Sequence, residues 1–550
     1  MKKKGPNFIE QIIDGDISRG FKKDDLRFRF PPEPNGYLHI GHLKAICLNF
    51  NLGEKYGAPV NLRFDDTNPE KEAKEYVDAI KNDILWLGYK WNKECYASDY
   101  FEQLYNWALV LIEKDLAYID SQSSEDIANQ KGTPTKEGKA SPHRDRDKEE
   151  SLKVFKEMYN GEHKQGEHVL RAKINMSSPN MLMRDPVIYR VMDSNHHRTG
   201  DRWKIYPMYD WTHGESDYIE QVSHSLCTLE FEPHRELYDW FLDSISPLKG
   251  IRPKQREFSR LNLSYTITSK RNLAKLVEEG VVDGWDDPRM PTISGLRNRG
   301  YTPESLKSFA LTVGISKREN VIDVSLLEFC VRTHLNEEAP RAMAVLDPLK
   351  ISIINYNENK EESVNFDINP QKPGQGKREI LFSKNIYIER EDFQENPEEG
   401  FFRLSPGEEV RLKNAYIIKA KNIIKNEEGQ ITEVECEYDE KSKSGSNTEE
   451  SNRKVKATIH WVSAETAVEA TINIYDRLFK VPEPGKSQDL LSEVNENSLE
   501  IKSAKVEPYL ASAKEGDHFQ FQRSGYFVRT NNKKTLEFNK TVGLRDGWKK

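Results

Sequence analysis

Hydrophobic and polar positions follow two different periods along this chain. Near the amino terminus, a candidate strand at Leu26–Phe30 leads into a Pro- and Gly-rich turn. Apolar residues with three-and-four spacing follow the turn, at Leu43, Ile46, Cys47 and Phe50. The pattern predicts a strand followed by a helix with one buried face.

The next segment repeats this order of elements. Val60–Phe64 is a second candidate strand, and an apolar stripe at Tyr76, Ile80, Ile84 and Leu87 predicts a second helix. Strands that alternate with helices indicate βαβ units, so we expect a parallel sheet of the Rossmann type.

The period changes to two after about Arg341. Val434, Cys436 and Tyr438 alternate with glutamates, and the segment Val455–Trp461 alternates apolar with polar positions in the same way. Strands with one wet face are typical of antiparallel sheets and barrels. We therefore expect a β-rich carboxy-terminal region with two antiparallel barrels.

Two segments are poor in large apolar residues. Ser121–Glu150 is rich in Ser, Gly, Lys and acids, which indicates a long surface excursion inside an inserted module, and Asp126–Ala140 fits a plain flexible linker equally well. Lys441–Lys454 has the composition of a loop tip between two strands.

Length and composition narrow the class of protein. A chain of 550 residues with 36% hydrophobic and 31% charged residues predicts several globular domains, and no apolar run is long enough to span a membrane. The net charge of -8 excludes a protein that coats nucleic acid through bulk charge, so any RNA site must be a local basic patch.

We expect a cytoplasmic location, because acidic residues interrupt any apolar core of a signal peptide near the amino terminus. The cysteines are an odd, scattered set without a CxxC pair, which predicts a reducing compartment and no structural metal.

The chemistry begins at Pro31–His42, where the first strand passes into the first helix. Nucleotides bind at this place in an open parallel sheet, because the helix start offers unpaired N–H groups to a phosphate. His39 and His42 can donate hydrogen bonds to a phosphoryl group as its charge rises, and Gly41 lets a purine ring lie on the backbone. The short His-x-Gly-His motif also fits a pair of capping or surface histidines.

Longer strings give the pattern its specificity, and they resemble the class I glutaminyl- and glutamyl-tRNA synthetases. The resemblance covers the chain from Asp24 onward. The strings that carry it are Arg29–His42, Asn61–Pro69, Leu170–Ile174, Met183–Val187, Ile205–Asp210, Ser223–Phe231, Gly284–Thr292 and Phe538–Asp546.

The resemblance implies ATP as a substrate, with Mg²⁺, and places two signatures on this chain. His39 and His42 match the first signature, and Lys270 matches the lysine of the mobile Lys-Met-Ser-Lys-Ser loop, here Thr266–Arg271. Thr268 replaces the methionine, which puts the motion of the loop in doubt more than its chemistry. These three residues are the expected catalytic set. The ATP-binding residues implied are Glu33, Pro34, Asn35, His39, Gly41, His42, Leu43, Lys44, Ala45, Thr228, Arg260, Leu261, Thr268, Ser269 and Lys270.

The amino-acid pocket needs a cation for the α-carboxylate, an anion for the α-ammonium and neutral groups for a side-chain amide. Arg29, Asp65 and Tyr209 match family positions suited to these roles. The resemblance also implies that Cys227 occupies a position at which glutamate-specific members of the family have an arginine. A thiol cannot compensate a buried carboxylate, so glutamine is favoured over glutamate. Archaeal and eukaryotic glutamyl enzymes share the β-rich tail and are the closest alternative.

The resemblance also implies contacts with tRNA. Ser316–Asp323 corresponds to a tRNA-contacting part of the family, and three arginines in the tail match positions that read anticodon bases, although Gly400 and Phe402 beside one of them depart from some members. The expected tRNA-binding residues are Ser316, Lys317, Arg318, Arg341, Arg403 and Arg523.

The expected fold is therefore multidomain α/β plus β, and the expected partners are tRNA(Gln), L-glutamine and ATP, without a membrane and as a monomer. A small-metabolite nucleotidyltransferase and an inactive RNA-binding paralogue are weaker alternatives. The predicted division is an amino-terminal tail (1–23), a catalytic domain in two halves (24–97 and 206–260), an inserted acceptor-end module (98–205), a helical connecting module (261–337) and a two-barrel anticodon-binding region (338–550).

Overall fold

The computed structural model describes residues 5–358, 360 and 362–545. The chain forms two compact units, one of Met1–Asn262 with Ala310–Ile322 and one of Leu263–Phe309 with Asp323–Lys550. Among the described residues, no helix combines the length and the apolar composition that crossing a bilayer requires. The finer division into six segments stays a prediction.

The first unit alternates helices and strands along most of its length. Its helices are α1 (Phe8–Ser18), α2 (Ile40–Tyr56), α3 (Lys74–Trp86), α4 (Phe101–Glu113), α5 (Ser124–Gln130), α6 (Lys148–Asn160), α7 (Tyr209–Ile219) and α8 (Arg235–Ser244). Its strands are β1 (Phe28–Phe30), β2 (Val60–Phe64), β3 (Glu94–Tyr96), β4 (Ala117–Asp120), β5 (Val169–Ala172), β6 (Val187–Val191), β7 (Ile205–Pro207), β8 (His224–Thr228) and β9 (Lys254–Phe258).

The predicted parallel sheet is confirmed. Strands β1, β2 and β3 pair in parallel in that order, with Arg29 opposite Asn61, and β8 pairs in parallel with β9. All five residues of β2 are buried, including Asn61 and Arg63, as expected for a strand covered on both faces. The parallel register places the carboxyl ends of β1 and β2 at one edge of the sheet.

Strands β4, β5, β6 and β7 form an antiparallel sheet within the segment predicted to be an inserted module, and α4 and α6 contribute to the same hydrophobic core. The excursion that precedes α6 is ordered. Helix α5 lies within it, and the guanidinium of Arg184 donates to the carbonyls of Lys131, Thr133 and Lys136 at 2.8–2.9 Å. The flexible-linker interpretation of Asp126–Ala140 is therefore wrong, because a distant buried arginine holds this backbone.

The second unit is dominated by strands. The segment from residue 262 to residue 338, which passes between the two units, contains β10 (Asn262–Leu263), α9 (Lys270–Glu278), α10 (Ile293–Asn298), α11 (Pro303–Val313), β11 (Val321–Ile322) and α12 (Val324–Glu338). The tail contains β12 (Arg341–Ala342), β13 (Ala344–Val345), β14 (Pro348–Ile353), β15 (Glu362–Asp367), β16 (Lys377–Phe382), β17 (Asn385–Glu389), β18 (Glu409–Leu412), β19 (Ile417–Lys425), β20 (Ile431–Asp439), α13 (Glu449–Asn452), β21 (Thr458–Ile459), β22 (Val462–Ser463), β23 (Val468–Tyr475), β24 (Leu499–Val506), β25 (His518–Phe521), β26 (Gly525–Arg529) and β27 (Glu537–Val542).

The tail forms two seven-stranded sheets, ordered β21-β18-β19-β20-β14-β17-β22 and β12-β25-β26-β27-β23-β24-β13. Most neighbouring strands are antiparallel, but β14 pairs in parallel with β20 and β23 with β27. The predicted β-rich tail with two barrel-like sheets is confirmed. The prediction of antiparallel pairing holds for most neighbouring strands but is wrong for these two pairs and for β18 with β21 and β12 with β25. Long intervening segments let sequence-distant strands pair in parallel. The alternating burial over Val434–Tyr438 is confirmed, whereas only Thr458 and Ile459 of Val455–Trp461 form a strand.

Candidate functional site: a nucleotide and amino-acid pocket

The two signature histidines form the amino-terminal cap of α2. His39 is the cap residue, with extended backbone, and its Nδ1 accepts a hydrogen bond from the Gly41 N–H at 3.1 Å. The Nδ1 of His42 accepts from the His39 N–H, also at 3.1 Å, and the two ring centroids lie 3.9 Å apart. The motif is thus a capping box built from imidazoles rather than from Ser and Glu.

This cap fixes the tautomer of both rings. An imidazole nitrogen that accepts a backbone N–H cannot carry a hydrogen, so the neutral rings carry theirs on Nε2. His39 and His42 therefore present N–H donors at the end of a helix whose dipole is positive there. Such an arrangement favours binding of a phosphate. The same geometry is therefore consistent with both interpretations of the motif, as a helix cap and as a nucleotide site.

A buried arginine lies on β1, the strand that precedes this helix. Arg29 on β1 has no solvent exposure, and its Nε lies 2.9 Å from Oδ1 of Asp217 on α7. Its other nitrogens donate to the Leu226 carbonyl at 3.0 Å and to the Ser225 hydroxyl at 2.6 Å. The structure therefore pairs the Arg29 guanidinium with protein atoms, and its role toward the amino acid stays a prediction.

A second buried arginine completes an ion-pair network. Arg63 on β2 donates to Asp65 at 2.8 Å and to Asp217 at 2.7 Å, and it lies 3.5 Å from Glu220. Burial raises the pKa of Asp65 to about 6, although the Arg63 guanidinium opposes this shift. The other carboxylate oxygen of Asp65, Oδ2, is buried and has no hydrogen-bond partner among the described residues. An orphaned buried anion of this kind suits the α-ammonium of an amino acid.

The polar side of the pocket is uncharged. Burial lowers the pKa of His213 to about 3, so its ring is neutral, and its Nε2 lies 3.4 Å from Arg29 and 3.5 Å from the Cys227 sulfur. Burial also raises the pKa of Cys227, so the thiol stays protonated. Tyr209 stacks on His213 with ring centroids 5.1 Å apart, and burial raises its pKa well above the usual value. Tyr209 and Cys227, two of the four predicted glutamine-binding residues, therefore offer neutral hydrogen-bonding groups, whereas Arg29 and Asp65 belong to the neighbouring ion-pair network.

The predicted ATP residues divide into two groups. Asn35 donates to Glu33 at 2.5 Å in the turn before α2, while Thr228 and Arg260 both contact Glu230, at 2.7 and 3.3 Å. These residues lie in loops at strand or helix ends, where a ligand can reach them.

The second group is buried. Leu43 is fully buried and Leu261 is 2% exposed, so side-chain contact with a nucleotide is not expected of either. Lys44 is 3% exposed and its ammonium donates to the Ser259 hydroxyl at 2.8 Å. Burial lowers the pKa of Lys44 to about 8. This geometry gives Lys44 a packing role between α2 and the end of β9.

The loop of the second signature belongs to the other unit. Ser269 caps α9 without a side-chain hydrogen bond, and Lys270 is the first helical residue. Ile267 is 6% exposed and packs in a hydrophobic cluster with Leu273 and Leu276. Thr268, which occupies the position of the family's methionine, is half-buried.

The predicted tRNA-binding residues occupy three different environments. Ser316, Lys317 and Arg318 form a half-buried to exposed loop after α11. In the tail, Arg523 donates to both oxygens of Asp392, at 2.6 and 2.7 Å, and Arg403 lies 3.1 Å from the same carboxylate. The structure thus brings two of the three anticodon candidates to one buried aspartate.

Arg341 differs from the other two arginines. It is 5% exposed, and its guanidinium donates to the carbonyls of Ala339 and Asn336, at 2.6 and 2.8 Å. A cation on the last carbonyls of α12 stabilises the end of that helix. This capping contact accounts for its position, and its anticodon role stays a prediction.

One group of side chains in the described part of the chain has the composition of a metal site. Asp66, His196 and His197 lie with their ligand atoms within 4.8 Å of one another. However, Nδ1 of His196 accepts the N–H groups of Arg198 and Thr199, so the hydrogen lies on Nε2, which contacts the Asp66 carbonyl at 2.9 Å. A protonated nitrogen cannot bind a metal, so we interpret Asp66, His196 and His197 as a hydrogen-bond network.

Comparison with known proteins agrees with this geometry. Residues 25–337 match the family model for the catalytic domain of class I tRNA synthetases (E and Q), and residues 339–439 and 458–530 match two models for the anticodon-binding domain of the same class. The chain belongs to this family. Its relatives include the glutamine--tRNA ligases of Vibrio vulnificus (strain YJ016), 53% identical over 99% of this chain and 98% of the relative, and of Enterobacter sp. (strain 638), 52% identical over the same shares.

A solved structure covers part of the family's fold. A glutamate tRNA ligase from Elizabethkingia meningosepticum, crystallised in complex with its amino acid, is 16% identical and covers 57% of this chain and 70% of its own, with a TM-score of 0.43. The family assignment therefore rests on the sequence models and on the full-length relatives.

Several residues of this synthetase-family site have no individual sequence signal. Asp217 and Glu220 face Arg63 only because α7 packs against β2. Glu230 contacts both Thr228 and Arg260, and Asp392 holds two arginines from sequence-distant loops. The sequence signal for these acids is indirect. Arginines lie within predicted buried strands, and each buried arginine requires a buried anion.

Proposed function

We propose that the chain activates L-glutamine with ATP and transfers it to the 3′-terminal adenosine of tRNA(Gln), as a cytoplasmic monomer. One observation supports the choice of amino acid most strongly: among the described residues, Arg29 and Arg63 both pair with buried carboxylates. Its relatives named glutamine--tRNA ligase at 52–53% identity over nearly the whole chain support the same activity.

The charges of the pocket can be counted from the contacts. Arg29 and Arg63 supply two positive charges, and Asp217, Asp65 and Glu220 face them with three carboxylates. A buried γ-carboxylate of glutamate needs its own cation, because an unpaired buried charge is costly. Glutamine instead needs neutral donors and acceptors. The Tyr209 hydroxyl, the Cys227 thiol and the neutral His213 ring fit that need.

Activation requires no side-chain nucleophile. The α-carboxylate of glutamine attacks the α-phosphate of ATP, and pyrophosphate leaves. The Nε2–H groups of His39 and His42 donate to the phosphoryl oxygens as their charge increases, and the ammonium of Lys270 is assigned to the departing pyrophosphate. Mg²⁺ enters bound to the phosphates of ATP, which are its preferred ligands. Positioning and electrostatics supply the rate enhancement.

The second step transfers the aminoacyl group. A ribose hydroxyl of the terminal adenosine, the 2′-hydroxyl in this class, attacks the carbonyl carbon of the adenylate and releases AMP. The inserted module is assigned to the acceptor end, and Arg403 and Arg523 to anticodon bases. Arginine forks suit both phosphates and base edges.

The test is aminoacylation of tRNA transcripts with labelled glutamine and, separately, with labelled glutamate. We expect charging by glutamine with a kcat/KM at least about a hundredfold higher, the scale of discrimination that unpaired polar groups produce. Comparable charging by glutamate would contradict the specificity, and charging by neither would contradict the activity.

A matched variant locates the selection. Tyr209→Phe keeps the ring stacked on His213 and removes only the hydroxyl, so kcat/KM for glutamine should fall about tenfold. The KM for ATP should stay unchanged, because the hydroxyl is assigned to the amide side of the pocket. An unchanged value for glutamine would remove Tyr209 from recognition.

A further inference from the structure

An open groove lies along the end of α1 in the first unit. Its volume is about 780 Å³, and residues from α1, from β9 and from the loop after α11 line it. The polar lining is mainly cationic: Arg19, Arg256, Lys317 and Arg318 face a single acid, Asp16. Phe8 and Ile12 form its apolar floor, and the Lys317 ammonium lies 5.4 Å from the Phe8 ring centroid.

The single acid does not neutralise the groove. Asp16 is 6% exposed, and it already contacts Arg19 at 2.5 Å, His224 at 3.2 Å and Lys254 at 3.3 Å. Because Lys254 adds another positive charge beside Asp16, the cations of the groove still outnumber its acid. The whole chain carries a net charge of -8, and a surplus of this kind is a local departure from its acidic surface.

The exposure of these cations distinguishes the groove from a small-anion pocket. The Arg19 side chain is 71% exposed, Lys317 and Arg318 are exposed, and Arg256 is half-buried. These charges are spread over three separate elements of an open groove, and three of the four cations are exposed to solvent. They match an extended polyanion, whose successive phosphates can each pair with one cation.

We propose that this groove binds the sugar-phosphate backbone of the tRNA, so that the end of α1 and Arg256 extend the contact assigned to Ser316–Arg318. The inference rests on the proposed function for the identity of the RNA. Arg19 and Arg256 match no tRNA-binding position derived from the sequence. Their place beside Lys317 and Arg318 in one groove is what assigns them to RNA.

The test is direct binding of fluorescently labelled tRNA(Gln) transcript to the full chain over a range of salt concentrations. For the charge reversal Arg19→Glu/Arg256→Glu, we expect the Kd to rise about tenfold at low salt. The slope of log affinity against log salt should shrink by about one to two, since each phosphate contact contributes about 0.7–0.9. The KM for ATP and for glutamine should stay unchanged.

Two control variants separate local contact from general charge and from structure. Lys90→Glu/Lys93→Glu makes the same change in net charge at exposed positions outside the groove, and its tRNA affinity should fall less than twofold. Arg19→Lys/Arg256→Lys keeps the charge and should retain the wild-type salt slope. Thermal unfolding of each variant checks that the fold is intact.

An unchanged Kd and salt slope in the charge-reversal variant would overturn the inference, as would an equal loss in the Lys90 and Lys93 control. The binding assay needs no catalysis. If wild-type protein binds tRNA through the groove but does not charge it with glutamine, the proposed function fails while the groove contact stands. If charging is normal in the groove variant and binding is unaffected, only the groove contact fails.

Discussion

Two clusters in this chain hold pairs of arginines on a buried aspartate, and they differ in how much of the arginine solvent can reach. Around Asp217, both Arg29 and Arg63 have fully buried side chains. Around Asp392, the aspartate is equally buried, but the side chains of Arg403 and Arg523 are 36% and 30% exposed.

The same ion-pair chemistry therefore serves two purposes. A guanidinium without solvent exposure is enclosed by protein atoms, so it supports the site and cannot itself meet a large ligand. A guanidinium that is one-third exposed keeps a face and some donors available for an RNA base or phosphate. We expect loss of the first cluster to affect folding, and loss of the second to affect tRNA affinity.

The largest effect should come from Asp217→Asn. This change leaves the buried Arg29 guanidinium without its paired carboxylate and removes one of the three carboxylates that face Arg63. Removal of one partner from a buried ion pair costs about 3–5 kcal/mol. Urea unfolding followed by circular dichroism should show that loss. Ser225→Ala is the matched control, because it removes a neutral partner of Arg29 at 2.6 Å and should cost about 1 kcal/mol. Equal losses in the two variants would contradict the charge argument.

Asp392→Asn should affect tRNA more than stability. Both arginines lose their anchor but can reach water, so the free energy of unfolding should fall by only about 1–2 kcal/mol. The KM for tRNA should rise about tenfold, while the KM for glutamine and ATP should not change. Glu391→Gln removes the exposed neighbour that pairs with Arg403 at 3.0 Å and should leave all three values near wild type. A stability loss as large as that of Asp217→Asn would remove the distinction between the clusters.

The pH dependence of glutamine binding should report on Asp65. Its folded-state pKa of about 6 lies above the usual 3.8, so its contribution to stability falls as the pH rises between about 4 and 6. The negative charge of Asp65, which we assign to the α-ammonium, is instead lost as the pH falls. The KM for glutamine should therefore rise about tenfold per pH unit below about 6. Asp65→Asn should raise the KM and flatten the profile, and a flat wild-type profile from pH 7 to 5 would contradict the assignment.

Arg403→Lys should have the smallest effect. A lysine keeps the positive charge next to Asp392 but loses the planar fork, so the KM for tRNA should rise about two- to threefold. The free energy of unfolding should change by less than about 0.5 kcal/mol at this partly exposed position. Aminoacylation at varied tRNA concentration measures the first value, and a rise above tenfold would show that base-specific contacts depend on the guanidinium itself.

Much of the fold and part of the site could be predicted from local sequence. The strand, turn and helix around His39–His42 were predicted, because the apolar spacing and the Pro- and Gly-rich turn act locally. The strand at Val434–Tyr438 was predicted from the same kind of evidence. The parallel pair of β14 with β20 was not, since nothing in either strand's pattern specifies which distant partner it meets.

The sequence by itself determined the family, the signature residues and the types of side chain at the pocket, because each is carried by short contiguous strings. Only the tertiary structure decided what those side chains do. It fixed the hydrogens of His39 and His42 on Nε2 and paired the buried Arg29 with Asp217. It also left one oxygen of Asp65 without a hydrogen-bond partner among the described residues. Tautomer, burial and ion pairing depend on which distant atoms come within about 3 Å, and that distance exists only once the chain has folded.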